Sequence, residues 1–452
     1  MLKIAVPMTL AQLINVLYNI VDRIFIGRIP VDATNALTGL GVAFPICTIT
    51  IAFANLVGSG GAPLFSIERG RGNNEEAEKI LCASFRLLLI FGIIIFILGY
   101  LTKAPLLYLL GASSATFAYA DSYISIYLLG TVFVMLSLGM NSFINAQGFA
   151  RTGMLTVTIG AVCNLILDPI FIFAAGMGVQ GAALATVISQ FLAAVWTIRF
   201  LTGKKTLIRL ILWPTKHILQ EKPGKRGGET GADPILSGKR VKNILTLGLS
   251  GFIMSITNCA VQIVCNVNLS VYGGDMYIAA MTIINSVREV VQMAVSGIGN
   301  GAQPVLSFNY GAGEKERVKG TIKLMGAALL AYTMLAWIVV MVFAGQFVRL
   351  FNNDAKLFPV AVSSMHIYFF GFFMMAFQMA GQTVFQSLGK AKQAIFFSLL
   401  RKVFIVIPLT CLLPLAPEIG VTGVFLAEPV SNFIGGLACF LTMYVTVYRK
   451  LR

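Results

Sequence analysis

The chain has 452 residues, of which 57% are hydrophobic and only 12% charged, with a mean hydropathy of +0.83. A soluble domain carries about 25% charged residues, so this deficit, sustained along the whole chain, excludes a soluble globular protein. The net charge of +16 lies mostly in the segments between apolar stretches, which argues against a nucleic-acid partner.

Residues 4–27 form the first apolar stretch. They show no short apolar core with a small-residue cleavage site, so they are expected to stay as a helix and not to be removed as a signal. Eleven more stretches follow, at 37–66, 80–101, 120–148, 153–175, 180–202, 243–271, 276–308, 318–346, 357–388, 392–414 and 419–447. Each reaches the ~20 residues that a spanning helix needs. The predicted fold class is therefore an all-α polytopic membrane protein with twelve transmembrane helices. Residues 1–203 are expected to form an N-lobe of six helices. Residues 204–240, rich in Lys, Gly and Pro, are a basic linker, and residues 241–452 a C-lobe of six.

Two aspartates lie well inside these stretches, Asp22 in the first and Asp168 in the fifth. A carboxylate at membrane depth costs roughly 2.5–3.5 kcal/mol even on lenient insertion scales, so each is expected to face protein or water and act there. Asn164 and Asp168 are one turn apart and share a helix face. Pro169 then removes a backbone donor and is a candidate hinge, as is Pro408 in the eleventh stretch. Seven cysteines fall inside the stretches with no CxxC spacing, which indicates buried apolar thiols and neither a zinc site nor a disulfide framework. Gly203-Lys204-Lys205-Thr206 lacks the glycine loop that cradles nucleotide phosphates. No cofactor, resident metal or enzymatic chemistry is expected.

The second half rewrites the first at an offset near 240. Gly60 to Ser66, with Pro63, answers Gly301 to Ser307, with Pro304. Gly70 and Gly72 answer Gly311 and Gly313, Gln147 answers Gln386, and Pro169 answers Pro408. Gly178-Val-Gln-Gly181 answers Gly420-Val-Thr-Gly423. Six helices per half is an even number. The halves are thus expected to be parallel repeats related by a pseudo-two-fold axis along the membrane normal, which rock against each other for alternating access. With the N-terminus inside, the inner segments hold 24 Lys and Arg and the outer ones only Arg28, Lys103, Arg349 and Lys356. The positive-inside rule then places both termini in the cytoplasm.

On that topology Asp22, Asp168, Tyr123 and Thr186 sit roughly 5–10 Å beneath the outer surface, in one layer. Two carboxylates, the Asn164 amide, a phenol and a hydroxyl make an oxygen-rich ion site. Asp22, Asn164 and Asp168 suit Na⁺ directly. The set also suits H⁺, because two neighbouring carboxylates in low dielectric do not both ionise readily.

At these residues the chain resembles the multidrug and toxic compound extrusion (MATE) family, and within it the MepA-like and DinF-like branch. Val21-Asp22 with Phe25-Ile26-Gly27-Arg28, and Asn164-Leu-Ile-Leu-Asp168-Pro169, carry the likeness, together with the two Pro blocks and the two Gly-Val-x-Gly blocks. The resemblance implies an inner-membrane antiporter that exports drug-like organic cations in exchange for H⁺, less readily Na⁺. It implies an ion-coupling site at Asp22, Asn164 and Asp168, with Tyr123 and Thr186 in support. Some relatives carry an acidic Na⁺ site on helices seven and ten. Here the seventh stretch has no acid and the tenth offers His366, which favours coupling through the N-lobe.

In the second half Glu428 stands at the repeat position of Thr186, and Arg401 and Lys402 stand where the first half has Val162 and Cys163. Glu428 is expected to pair with Arg401 or Lys402, as a packing charge network or as part of transport. Glu289, Met293, Phe373, Phe377 and Gln378 are the candidates for a substrate cavity. A carboxylate attracts a cation, and methionine and aromatic faces adapt to varied organic cations. The alternatives are a lipid-linked oligosaccharide flippase of the wider superfamily, kept open by Arg288, Arg401 and Lys402, and a non-transporting scaffold or receptor. A monomer in the lipid bilayer is expected.

Overall fold

A computed structural model describes residues 2–26, 29, 33–110, 112–212, 235–351 and 356–451. Arg28 and most of the basic linker, including His217, lie outside the described residues.

The chain is helical throughout, with no strand among the described residues. In order come α1 (Leu2–Ile26), α2 (Ala33–Gly70), α3 (Asn74–Leu109), α4 (Phe117–Leu129), α5 (Thr131–Ala146), α6 (Ala150–Pro169) and α7 (Val179–Thr202). After the linker come α8 (Gly238–Tyr272), α9 (Gly274–Gly311), α10 (Lys315–Phe351), α11 (Leu357–Phe369), α12 (Met375–Ser387), α13 (Ala391–Leu399), α14 (Ile407–Leu412) and α15 (Thr422–Thr446). Each of the twelve predicted stretches is one of these helices or a broken pair of them. Among the described residues ten helical spans are long and apolar enough to cross a membrane. The bent pair α4–α5 adds an eleventh, and α1 holds the apolar run Ile4–Tyr18.

Five spans are interrupted, each at an identifiable residue; one of them is α10, which kinks at the non-helical Phe343. The α4–α5 pair turns by 58° at Gly130, where a Cβ would meet Val187 Cγ2 at 2.6 Å. Between α11 and α12 lies a single tight turn, Phe372–Met374. Pro169 ends α6 and is followed by a π-helical turn, Ile170–Ala174. The eleventh span holds the longer π segment Leu400–Val406, just before Pro408. Proline cannot donate to the helix ladder, and π turns absorb the mismatch.

The chain forms two compact units, Leu13–Phe252 and Met1–Gln12 with Ile253–Arg452. The first has its core around Phe65, Leu81, Met135 and Phe143. The core of the second is built around Met325, Phe369, Phe385 and Phe425. In each unit a repeat glycine lets two helices cross without a side chain between them. A Cβ on Gly60 of α2 would lie 2.0 Å from the Ile244 carbonyl oxygen of α8, and one on Gly301 of α9 would lie 2.6 Å from Ala5 Cα of α1.

The Gly-Val-x-Gly blocks also fold alike. Gly178 and Gly420 have φ of 55° and 53°, a region that only glycine enters without strain. Gly181 then lets α7 start against the Phe171 carbonyl, and Gly423 lets α15 start against Leu413 and Pro414. These turns fix how α7 follows Asp168 and how Glu428 enters the second unit.

Candidate functional site

In the unit Leu13–Phe252, Asn164 and Asp168 are carried on the last turns of α6 and are almost completely buried, at 2% and 1% exposed. Asn164 Nδ2 donates to Asp168 Oδ1 at 3.1 Å. The other oxygen, Asp168 Oδ2, is buried with no hydrogen-bond donor among the described residues. The half-buried Asp22 brings its carboxyl within hydrogen-bonding range of Asp168. Two acceptor groups facing each other in a space closed to water repel unless a proton or a cation lies between them.

Tyr123, on α4, is buried within electrostatic range of Asp22. It stacks on Tyr127, with ring centroids 6.1 Å apart. Tyr127 in turn lies within electrostatic range of Cys47 of α2, and the buried Thr50 Oγ1 has no hydrogen-bond partner among the described residues. Sequence reading did not single out Tyr127, Cys47 or Thr50. The signal was there: Tyr127 is one turn after Tyr123, and Thr50 one turn after Cys47. Thr186 is half-buried on α7 and makes no hydrogen bond to either aspartate among the described residues.

In the unit that holds Ile253–Arg452, Glu428 of α15 pairs with both cations of the π segment. Arg401 makes a close contact through its terminal guanidinium nitrogen, and Lys402 Nζ lies 3.3 Å from Oε1 and 3.4 Å from Oε2. All three residues are under 9% exposed. Arg401 Nε remains buried with no acceptor among the described residues. Beside this network, Arg288 of α9 donates to the Tyr368 hydroxyl at 3.4 Å.

The five cavity candidates are spread over two helical segments. Glu289 is exposed on α9 and Met293 buried on it. Phe373 packs edge-on against Trp337 and Phe433, and Phe377 against Phe440. Gln378 is buried, with Oε1 lacking a donor among the described residues. Phe377 alone of the five lines the apolar groove of about 410 Å³ between α10, α12 and α15. His366 Nε2 lies 3.0 Å from the Met341 carbonyl oxygen, a helix-packing contact. Among the described residues no cluster of three His, Cys, Asp or Glu side chains is arranged to hold a metal ion.

The MatE family model matches residues 7–170 and again 251–412, once in each half. The chain belongs to the MATE family. MATE members are membrane transporters, and the chain is multi-pass in keeping with that. It is 25% identical over 450 residues to the multidrug export protein MepA of Staphylococcus saprophyticus, covering 98% of this chain and 93% of that protein. The solved structure of the MATE multidrug transporter DinF-BH is 30% identical, with a TM-score of 0.87 over 98% of this chain and 94% of that one. The outward-facing conformation of a multidrug resistance MATE family transporter of the MOP superfamily has a TM-score of 0.88 at 22% identity, covering 99% and 96%. The MATE fold is thus present over essentially the full chain.

Proposed function

We propose that this MATE protein is a secondary active multidrug antiporter of the bacterial cytoplasmic membrane. It expels amphipathic organic cations and takes in H⁺, with Na⁺ the less favoured coupling ion. The observation that carries this reading is the Asp22–Asp168 pair, with one Asp168 oxygen held by Asn164 and the other buried without a donor. A proton bridging the two carboxyls relieves their repulsion. A desolvated Na⁺ could take the same oxygens together with the Asn164 carbonyl. The names of the relatives, a multidrug export protein and a multidrug transporter, support the efflux direction and a drug-like substrate class.

In this mechanism both termini are cytoplasmic, and the lobes 1–203 and 241–452 rock about a central cavity as a monomer. With the cavity open outward, Asp22 and Asp168 load the ion. Loading neutralises the pair, the helices around it adjust, and drug leaves. After inward rocking the ion is released and new drug binds. Pro169 and Pro408 are the bending points. Such activity would confer antibiotic resistance. The flippase alternative needs a cationic cavity that admits a pyrophosphate. The cleft beside Arg288 offers about 20 Å³, room for about one water, which favours the antiporter. A scaffold or receptor has no use for two neighbouring carboxyls at this depth.

The test is uptake of a fluorescent organic cation into inside-out proteoliposomes under an imposed pH or Na⁺ gradient. Uptake driven by the pH gradient, and abolished in folded Asp22→Asn and Asp168→Asn variants, supports the reading. Uptake that ignores both gradients and both variants overturns it.

A further inference from the structure

Within the unit that holds Ile253–Arg452, the apolar groove of about 410 Å³ runs between α10, α12 and α15. Small residues form its walls, Gly326 and Ala327 on α10 and Ala376 and Ala380 on α12. A Cβ on Gly326 would meet nothing within 4 Å. The Phe377 and Phe440 rings, with centroids 5.1 Å apart, stand toward its deep end. The volume is that of pockets that hold small molecules. Facing a bilayer, such a space is filled, because an empty one forfeits contact energy.

Charge is confined to the other end of the groove. Lys323 of α10 and the stacked pair Tyr444 and Tyr448 line it there, and Arg449 Cζ lies 5.3 Å from the Tyr444 ring centroid. The 37 residues of α10 make about 55 Å of helix, whereas the hydrocarbon layer is about 30 Å thick. Centred on that layer, α10 enters it about 12 Å after Lys315. Lys323 is eight residues after Lys315, also about 12 Å. Lys323 therefore sits where headgroups meet hydrocarbon, beside two tyrosines of the kind that mark that boundary. It is exposed and makes no hydrogen bond or ion pair among the described residues. Glu316, within electrostatic range of it, is already bonded by Lys319 at 2.9 Å.

These features select one occupant. The cations at the mouth repel an organic cation. A second copy seated on this face by two-fold symmetry would bring Lys323 and Arg449 toward their own counterparts. A phosphate with an acyl chain beneath it suits both ends, since the chain fills the small-residue groove and the phosphate meets an unpaired ammonium.

We propose that this groove binds an anionic phospholipid, with one acyl chain along Gly326 and the phosphate at Lys323 and Arg449. On the proposed topology the lipid belongs to the cytoplasmic leaflet, but its binding depends on neither that topology nor the efflux reading.

The experiment is native mass spectrometry of the purified full chain in detergent, with no ion gradient. The protein is titrated with phosphatidylglycerol or with phosphatidylcholine of the same acyl chains. Wild type is expected to bind phosphatidylglycerol about tenfold more tightly, the effect of one charge-assisted hydrogen bond. Lys323→Gln should bring the ratio close to one, and Lys323→Arg should retain it. Gly326→Phe fills the groove and should remove saturable binding of both lipids. Lys323 is unpartnered and a Cβ at Gly326 meets nothing, so both variants should keep the fold, which melting temperatures verify. Lys392→Gln, at an exposed lysine of α13 outside the groove, should change nothing. Equal affinities in wild type, a ratio unchanged in Lys323→Gln, binding unchanged in Gly326→Phe, or an equal loss in Lys392→Gln would each overturn the proposal. So would displacement of the lipid by tetraphenylphosphonium, which assigns the groove to an organic cation, or a dimer mass that Gly326→Phe abolishes, which assigns it to a second copy.

Discussion

Asn164 donates to one oxygen of Asp168 from a single turn earlier on α6, and the other oxygen is buried without a donor among the described residues. That arrangement holds the Asp168 carboxyl by one oxygen and leaves one acceptor unpaired, the acceptor to which the proposed function assigns the ion. Removing a hydrogen bond to a charged group costs about 1.5–3 kcal/mol. Asn164→Ala is therefore expected to lower gradient-driven efflux at least tenfold. Thr186→Val should change it less than twofold, because Thr186 bonds to neither acid. Initial rates in proteoliposomes check both. Equal losses in the two variants would show that Thr186 joins the site during the cycle.

The Glu428 network gives a stability prediction of definite sign. Breaking a buried ion pair by removing one partner costs about 3–5 kcal/mol, because it strands the remaining charge. Glu428→Gln strands both Arg401 and Lys402 and should lower thermal stability in detergent sharply. The triple change Glu428→Leu, Arg401→Met, Lys402→Met removes all three charges and should recover most of the loss. Failure of the triple change to recover stability would mean that the π segment itself depends on the ions.

Helix crossing supplies a third prediction. A Cβ on Gly248 of α8 would lie 1.6 Å from the Leu56 carbonyl oxygen, whereas one on Gly41 of α2 meets nothing within 4 Å. Gly248→Ala should prevent recovery of a monodisperse folded protein. Gly41→Ala should be neutral or stabilising by about 0.5–1 kcal/mol, the ordinary helix gain over glycine.

Backbone conformation gives a fourth. Nothing lies within 4 Å of a Cβ on Gly178 or Gly420, yet both have positive φ. Gly178→Ala and Gly420→Ala should each cost about 1–3 kcal/mol from strain alone, read as lowered melting temperatures. Equal tolerance of alanine at these two positions and at Gly41 would remove the strain argument.

The helices were legible because membrane helices declare themselves by length and apolarity. Asp22 and Asp168 were legible because charge is rare at depth, and the contact between Glu428 and the Arg401–Lys402 pair because the repeat relates α15 to α7. Other features were hidden. Gly130 bends a span because Val187 packs there, a contact between residues far apart in sequence. Cys47 looked like an ordinary core residue, since composition does not reveal which buried groups lie within electrostatic range of a carboxylate. Arg288 was noticed, but its want of a close counter-ion depends on where Glu428 points, which only coordinates give.

The two units divide after Gln12 and after Phe252, positions one repeat length apart and well away from the basic linker. Each half of the chain therefore carries the opening helical turns of the other unit's fold. Cutting the polypeptide near residue 220 would yield two fragments, neither of which contains a whole unit. Such fragments should be soluble in detergent and active only when made together, and the linker should be dispensable as a covalent bond.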